Sequence, residues 1–217
     1  MMYKTAIFDL DGTILDTLDD LADAVNFTLS SHGYPTRRLE EIRRFVGNGI
    51  RSLISLSLPS GEDTPDFETI LTDFRVYYAA NAQVKTAPYA GVRELLARLR
   101  AGGVRVAVVS NKFEAAVQAL CRRYFGDLVE VAVGDAPARA RKPAPDGVYA
   151  ALTSLGEGKE SAVLIGDGET DVETARAAGI PCISVLWGFR DRACLTEAGA
   201  TCFAETVGAL EKMLLGA

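Results

Sequence analysis

Five short apolar runs, each rich in Ile and Val, constrain this chain more than any other feature. They are TAIFD (5–9), VRVAVV (104–109), LVEVAV (128–133), AVLIGD (162–167) and CISVLW (182–187). A sixth, weaker run lies near TCFA (201–204). Apolar character that is continuous rather than alternating suits parallel strands covered on both faces. Helical patterns stand between most of the runs: GVRELLARLRAGG, FEAAVQALCRRYFG, PDGVYAALTSLG and TDVETARAAGI. The first of these stops on Gly102 and Gly103, a helix C-terminal signal. Strands alternating with helices predict βαβ units, right-handed crossovers and a doubly wound parallel α/β sheet.

One stretch breaks the alternation. From Ile14 to Val84 no segment reads as a strand, and LDDLADAVNFTLSSHG, RRLEEIRRFVG and DFETILTDFRVYYAANA read as amphipathic helices. The expected organisation is a core of residues 1–13 and 85–217 with a helical module, 14–84, inserted after the first strand. Pro88 in PYAG forces Ala87 into an extended conformation and marks the re-entry.

In open α/β sheets ligands sit outside the carboxyl ends of the strands, so the residues directly behind each run carry the chemistry. Behind the first stand Asp9, Leu10, Asp11, Gly12 and Thr13. Residues two apart on extended backbone point to one side, which brings the Asp9 and Asp11 carboxylates together. Behind the second stand Ser110, Asn111 and Lys112. Ser110 or Asn111 can cap the next helix, Asn111 with Glu114 as a capping box, and the same helix terminus can make an anion site. Between the third and fourth runs, ARARKPAPDG places Lys142 before Pro143, outside any helix. The fourth run ends on Asp167, with Asp171 one helical turn further on. Unit charges about 4 Å apart repel by roughly 4 kcal/mol at an effective dielectric constant near 20. Asp9, Asp11, Asp167 and Asp171 therefore call for a hard divalent cation, and Mg2+ suits a few carboxylates plus a phosphate oxygen. Ser110 and Lys142 would then serve the remaining phosphoryl oxygens.

Composition removes other classes. The net charge of −6 argues against nucleic acid or an anionic membrane as partner. Four cysteines without a C-x-x-C pair and a single histidine, His32, argue against a cysteine/histidine zinc site and suit a reducing cytoplasm. Asp9 interrupts the first apolar run too early for a secretory segment, and no apolar stretch approaches the length of a membrane span.

Four segments in order, DLDGT (9–13), VVSNK (108–112), RKPAP (141–145) and GDGETD (166–171), resemble the motifs of the haloacid dehalogenase superfamily. FVGNGIRSL, PYAGVRELL, VSNKFEAAV and TARAAGI are similar to its phosphoglycolate phosphatase branch. The resemblance implies a Rossmann-like core with a helical cap at 14–84. It implies Asp9 as nucleophile and Asp11 as general acid, then base. Mg2+ would be held by Asp9, the Asp11 main-chain carbonyl and Asp167, with Asp171 supporting, and phosphate by Ser110, Asn111 and Lys142. Gly168 departs from the serine that many relatives carry after the last motif's aspartate. Asp11 argues against carbon–halogen hydrolysis, and a 14–84 segment without lysine argues against a Schiff-base phosphonatase. The segment holds six arginines and eleven acidic residues. Arg44, Gly47, Asn48 and Arg51 are its candidates for substrate specificity.

The expected activity is Mg2+-dependent hydrolysis of a small phosphomonoester, first 2-phosphoglycolate, by a cytoplasmic monomer or homodimer. The alternatives are a mutase like β-phosphoglucomutase, or a pyrophosphatase or nucleotidase of the same branch.

Overall fold

The computed structural model describes residues 3–216. The chain divides into two units, one formed by the residues up to Leu15 and from Pro88 onward, the other by Asp16–Ala87. The elements begin with β1 (Thr5–Phe8), β2 (Leu15–Asp16), α1 (Leu18–Ser31), α2 (Leu39–Phe45), α3 (Gly49–Ser57), α4 (Phe67–Asn81) and β3 (Ala87–Pro88). Next come α5 (Val92–Ala101), β4 (Arg105–Phe113), α6 (Glu114–Phe125), β5 (Val131–Asp135) and α7 (Asp146–Leu155). The last are β6 (Ala162–Gly166), α8 (Glu169–Ala178), β7 (Cys182–Val185), α9 (Arg192–Glu197), β8 (Phe203–Ala204) and α10 (Val207–Leu215).

Six strands form one parallel sheet in the order β5-β4-β1-β6-β7-β8. Every residue of β1 is buried. Ala6 and Phe8 pack with Leu95 and Leu99 of α5, Val117 of α6 and Leu210 of α10. Ile7 points to the opposite layer, with Val148 of α7 and Ala175 of α8. Helices thus cover both faces, and a one-residue slip of β1 would exchange the two sets of side chains between layers. From β1 the chain first builds outward through β4 and β5, then crosses to β6 on the other side of β1. The order reverses between β1 and β6, and ligands in such sheets bind outside the carboxyl ends at that reversal.

The helical unit has its own apolar interior. Ile42 of α2, Ile54 of α3 and Leu71 and Phe74 of α4 are fully buried, as are Val25 and Leu29 of α1. Phe27 and Tyr77 stack at 3.9 Å between ring centroids, joining α1 to α4. Asp20 of α1 is buried, and its carboxylate accepts the main-chain N–H groups of Val84, Lys85 and Thr86 at 2.8–3.1 Å.

Several elements differ from the sequence expectation. The second run does not end at Val109: β4 continues to Phe113 through a bulge, because Val109 pairs with Val133 and Phe113 with Asp135. Ser110, Asn111 and Lys112 thus face the single residue Gly134, an arrangement that kinks a strand and re-aims its side chains. The third run starts later, at Val131, because Gly126–Leu128 forms a 3-10 turn. The GNG segment leads directly into helix α3, and the two-residue strands β2 and β3 also lie where no strand was expected. No helix among the described residues is long and apolar enough to cross a membrane.

Candidate active site

β1 delivers Asp9 to the reversal of the sheet and β6 delivers Asp167. Asp171 comes from the first turn of α8, where its Oδ2 accepts the Gly168 N–H at 3.1 Å. Asp9, Asp167 and Asp171 each offer a carboxylate oxygen, and these atoms all lie within 4.8 Å of one another. Lys142 reaches into the group from the loop before α7. Its ammonium is 2.6 Å from Asp171 Oδ1 and 2.9 Å from Asp9 Oδ1, with only 4% of its side chain exposed.

Asp167 is held from three sides. Thr13 Oγ1 donates to its Oδ1 at 2.9 Å, and the Phe189 N–H donates to its Oδ2 at 2.7 Å. Gly12, at φ +83, and Gly188 complete the cage: a Cβ on either would come within 2.3 Å of an Asp167 side-chain atom. Trp187 Nε1 donates to the Thr13 carbonyl at 3.0 Å, tying the loop after β7 to the loop after β1.

Burial sets the electrostatics. It pushes the Asp9 carboxyl up to about 8, with Asp171 and Asp167 adding and Lys142 opposing. It pushes Asp167 up to about 7, with Asp171 adding and the Phe189 and Thr13 donors opposing. Burial alone would lower Lys142, but the Asp171 and Asp9 carboxylates outweigh it and the ammonium is held above its ordinary range.

The donor set fits a hard divalent cation. All three ligating groups are carboxylates, and three negative charges against the one on Lys142 leave two, the charge of Mg2+. Asp9 Oδ1 is buried and accepts no aligned hydrogen bond, although the ammonium stands close to it.

Asp11 stands apart from this trio. Its carboxylate is bridged by Lys112, whose ammonium is 3.0 Å from Oδ1 and 3.2 Å from Oδ2. Lys112 lies in the VVSNK motif, where sequence reasoning assigned it no role, and the structure buries it. Its burial comes from the bulge in β4. The expected capping box at Asn111 does not form: α6 begins at Glu114 behind Phe113, and Glu114 accepts instead from Arg139 at 2.7 Å. Asn111 Nδ2 donates to the Lys142 carbonyl at 3.0 Å, fastening the Lys142 loop to β4. Ser110 is buried beside it, its Oγ accepting the Lys112 N–H.

The helical-unit candidates separate. Arg51 is held by Glu62 at 2.6 Å and Glu68 at 2.8 Å and lies over the Phe67 ring, so its guanidinium is engaged inside its own unit. Arg44, Gly47 and Asn48 are exposed. His32 ends α1 and pairs with Asp73 at 2.9 Å. The unit reaches Ala87 and so includes Lys85, which bears on the absence of lysine from 14–84; its ammonium is paired with Asp23 at 2.7 Å.

Residues 6–185 match the haloacid dehalogenase-like hydrolase family. A phosphoglycolate phosphatase of Mesorhizobium japonicum is 34% identical over 200 residues, 88% of this chain and 86% of that one. A solved structure from Lactobacillus delbrueckii subsp. bulgaricus, provisionally named phosphoglycolate phosphatase, is 36% identical and superposes with a TM-score of 0.95 over 100% of both chains. A mutant of CbbY from Rhodobacter sphaeroides, solved with xylulose-1,5-bisphosphate, is 26% identical with a TM-score of 0.77 over 95% of both chains.

Proposed function

This chain belongs to the haloacid dehalogenase-like hydrolases, and from that membership we propose that it hydrolyses small phosphomonoesters, with 2-phosphoglycolate the first substrate, in a Mg2+-dependent reaction through an aspartyl-phosphate. The chain is a phosphoric monoester hydrolase. The observation that supports the finer reading is the division of the strand-end charges: Asp9 lies with Lys142 and the carboxylate trio, whereas Asp11 lies on a second ammonium.

Asp9 is the nucleophile. Its free oxygen attacks phosphorus in line as the bond to the leaving oxygen breaks, and Asp11 gives that oxygen a proton. Asp11 then removes a proton from water, which attacks the aspartyl-phosphate; inorganic phosphate leaves and the Asp9 carboxylate is restored. Ser110 and Lys142 hold the phosphoryl oxygens, and Asn111 keeps the Lys142 loop in place. Asp9, Asp167 and the Asp11 main-chain carbonyl, with Asp171 in support, would hold Mg2+, which when bound would supply charge neutralisation at the phosphoryl group. Gly47, Asn48 and Arg44 remain the substrate-specificity candidates of the helical unit. Four free cysteines favour a reducing cytoplasm as the enzyme's compartment.

The test is phosphate release, with and without Mg2+, from 2-phosphoglycolate, sugar phosphates and bisphosphates, nucleotides and pyrophosphate. Sugar bisphosphates enter the panel because a structural relative was solved with one. Turnover of 2-phosphoglycolate that needs Mg2+ and falls on the order of 10⁴-fold or more in Asp9→Asn is expected. Activity surviving in that variant would remove Asp9 from its role, and sugar-phosphate interconversion without phosphate release would identify a mutase.

A further inference from the structure

Two lysines divide four carboxylates into two sets. Lys142 sits with Asp9 and Asp171 at 2.9 and 2.6 Å, beside Asp167. Lys112 sits with Asp11, and its ammonium touches both carboxylate oxygens. Only 6% of the Lys112 side chain and 14% of the Asp11 side chain are exposed. Asp11 is two residues from Asp9 on the same loop, so without a counter-charge its side chain would fall under the same attraction that draws Asp9, Asp167 and Asp171 to a cation. A buried, two-oxygen contact at hydrogen-bond distance fixes its direction instead.

We propose that Lys112 is a positioning residue: it holds the Asp11 side chain off the cation cluster and keeps it as the acid–base group. The proposal rests on the acid–base reading of Asp11 under Proposed function. The β4 bulge is what makes it possible, since three residues stand against Gly134 and bring Lys112 to the strand-end site rather than along the sheet.

Leaving-group chemistry reads this role. An aryl phosphate such as p-nitrophenyl phosphate leaves without help from an acid, whereas an alkyl phosphate needs a proton delivered. General acid–base catalysis is worth roughly 10²–10⁴-fold. Lys112→Met should therefore lower kcat/KM, which reports phosphoryl transfer to Asp9 and not the later attack by water, on the order of 100-fold for the alkyl substrate while changing kcat/KM for p-nitrophenyl phosphate by less than about 5-fold. A residue that merely supports the fold would lower both alike. Lys112→Gln decides by the same ratio should the Met variant fail to fold, and Lys112→Arg should restore most of the alkyl activity.

Asp11→Asn, measured in parallel, separates the two claims. If it shows no preference for the aryl substrate, the acid–base reading of Asp11 falls, and the role proposed for Lys112 falls with it. If it does show one but the Lys112 variants lose both activities equally, or neither, the positioning role alone is overturned. Lys112→Met combined with Asp11→Asn should be no slower on the alkyl substrate than Asp11→Asn by itself; additive losses would show that Lys112 acts independently of Asp11.

Discussion

Ion pairs of nearly equal length occur at the strand ends of the first unit and on the helical unit, and they differ in almost every consequence. Lys142 meets Asp171 at 2.6 Å and Arg51 meets Glu62 at 2.6 Å. Lys142 is 4% exposed against Asp171 at 2%, whereas Arg51 is 40% exposed against Glu62 at 50%. Water screens the second pair and cannot reach the first. Distance alone therefore says little about what a charge pair does. A buried pair leaves an uncompensated charge when broken, while an exposed one is replaced by solvent.

Breaking the buried pair gives the largest expected effect. Lys142→Met leaves Asp9 and Asp171 facing each other without an ammonium, which should cost about 3–5 kcal/mol of stability and on the order of 10²–10³-fold in kcat. Thermal melts and steady-state kinetics check both, and a variant that keeps wild-type stability without Mg2+ would refute the electrostatic account. Next comes the cage around Asp167. Gly188→Ala places a methyl 2.3 Å from Asp167 Cβ and 2.5 Å from the Gly12 carbonyl, so the carboxylate must shift. Mg2+ affinity, read by calorimetric titration, should fall about 10–100-fold, the scale seen when groups orienting a metal ligand are disturbed.

pH sharpens the contrast without mutation. Asp9 rises from an ordinary 3.8 to about 8 and Asp167 from 3.8 to about 7, so between those limits the folded chain holds protons that the unfolded chain has released. Stability without a divalent cation is accordingly greatest on the acid side and is lost as pH rises through 7 and 8. Melting temperatures in EDTA from pH 5 to 9 should decline, and saturating Mg2+ should remove the decline; a flat curve in EDTA would contradict it. The smallest effect belongs to Arg51→Ala, which should leave the melting temperature and kcat/KM essentially unchanged. A large rise in KM there would show that the guanidinium leaves Glu62 and Glu68 to meet substrate.

The sheet was legible because buried parallel strands write themselves as unbroken Ile/Val runs, and the aspartates because they stand directly behind those runs. Asp9 and Asp167 needed no more than that rule. Lys112 escaped it because Asn111 and Glu114, three apart, imitate a capping box, while the bulge opposite Gly134 depends on a strand more than twenty residues away. Helix α3 was hidden behind Gly47-Asn48-Gly49, which reads as a turn but leads straight into a helix. The partners of Arg51, Glu62 and Glu68, lie at spacings that no helical or strand period connects. Where one element's own pattern determined the outcome, the sequence was enough; where a side chain's partner lay on another element, it was not.

The grip of Asp20 on the N–H groups of Val84, Lys85 and Thr86 joins the first helix of the inserted unit to its final residues. In chain-entropy terms the insertion closes on itself: the excursion is tied off by one carboxylate before the chain returns to the sheet. Residues enclosed by that knot can be lengthened, shortened or exchanged for another helical hairpin without changing the span the catalytic sheet must bridge. One aspartate in the first turn of α1 thus ties the two ends of the insertion together within its own unit.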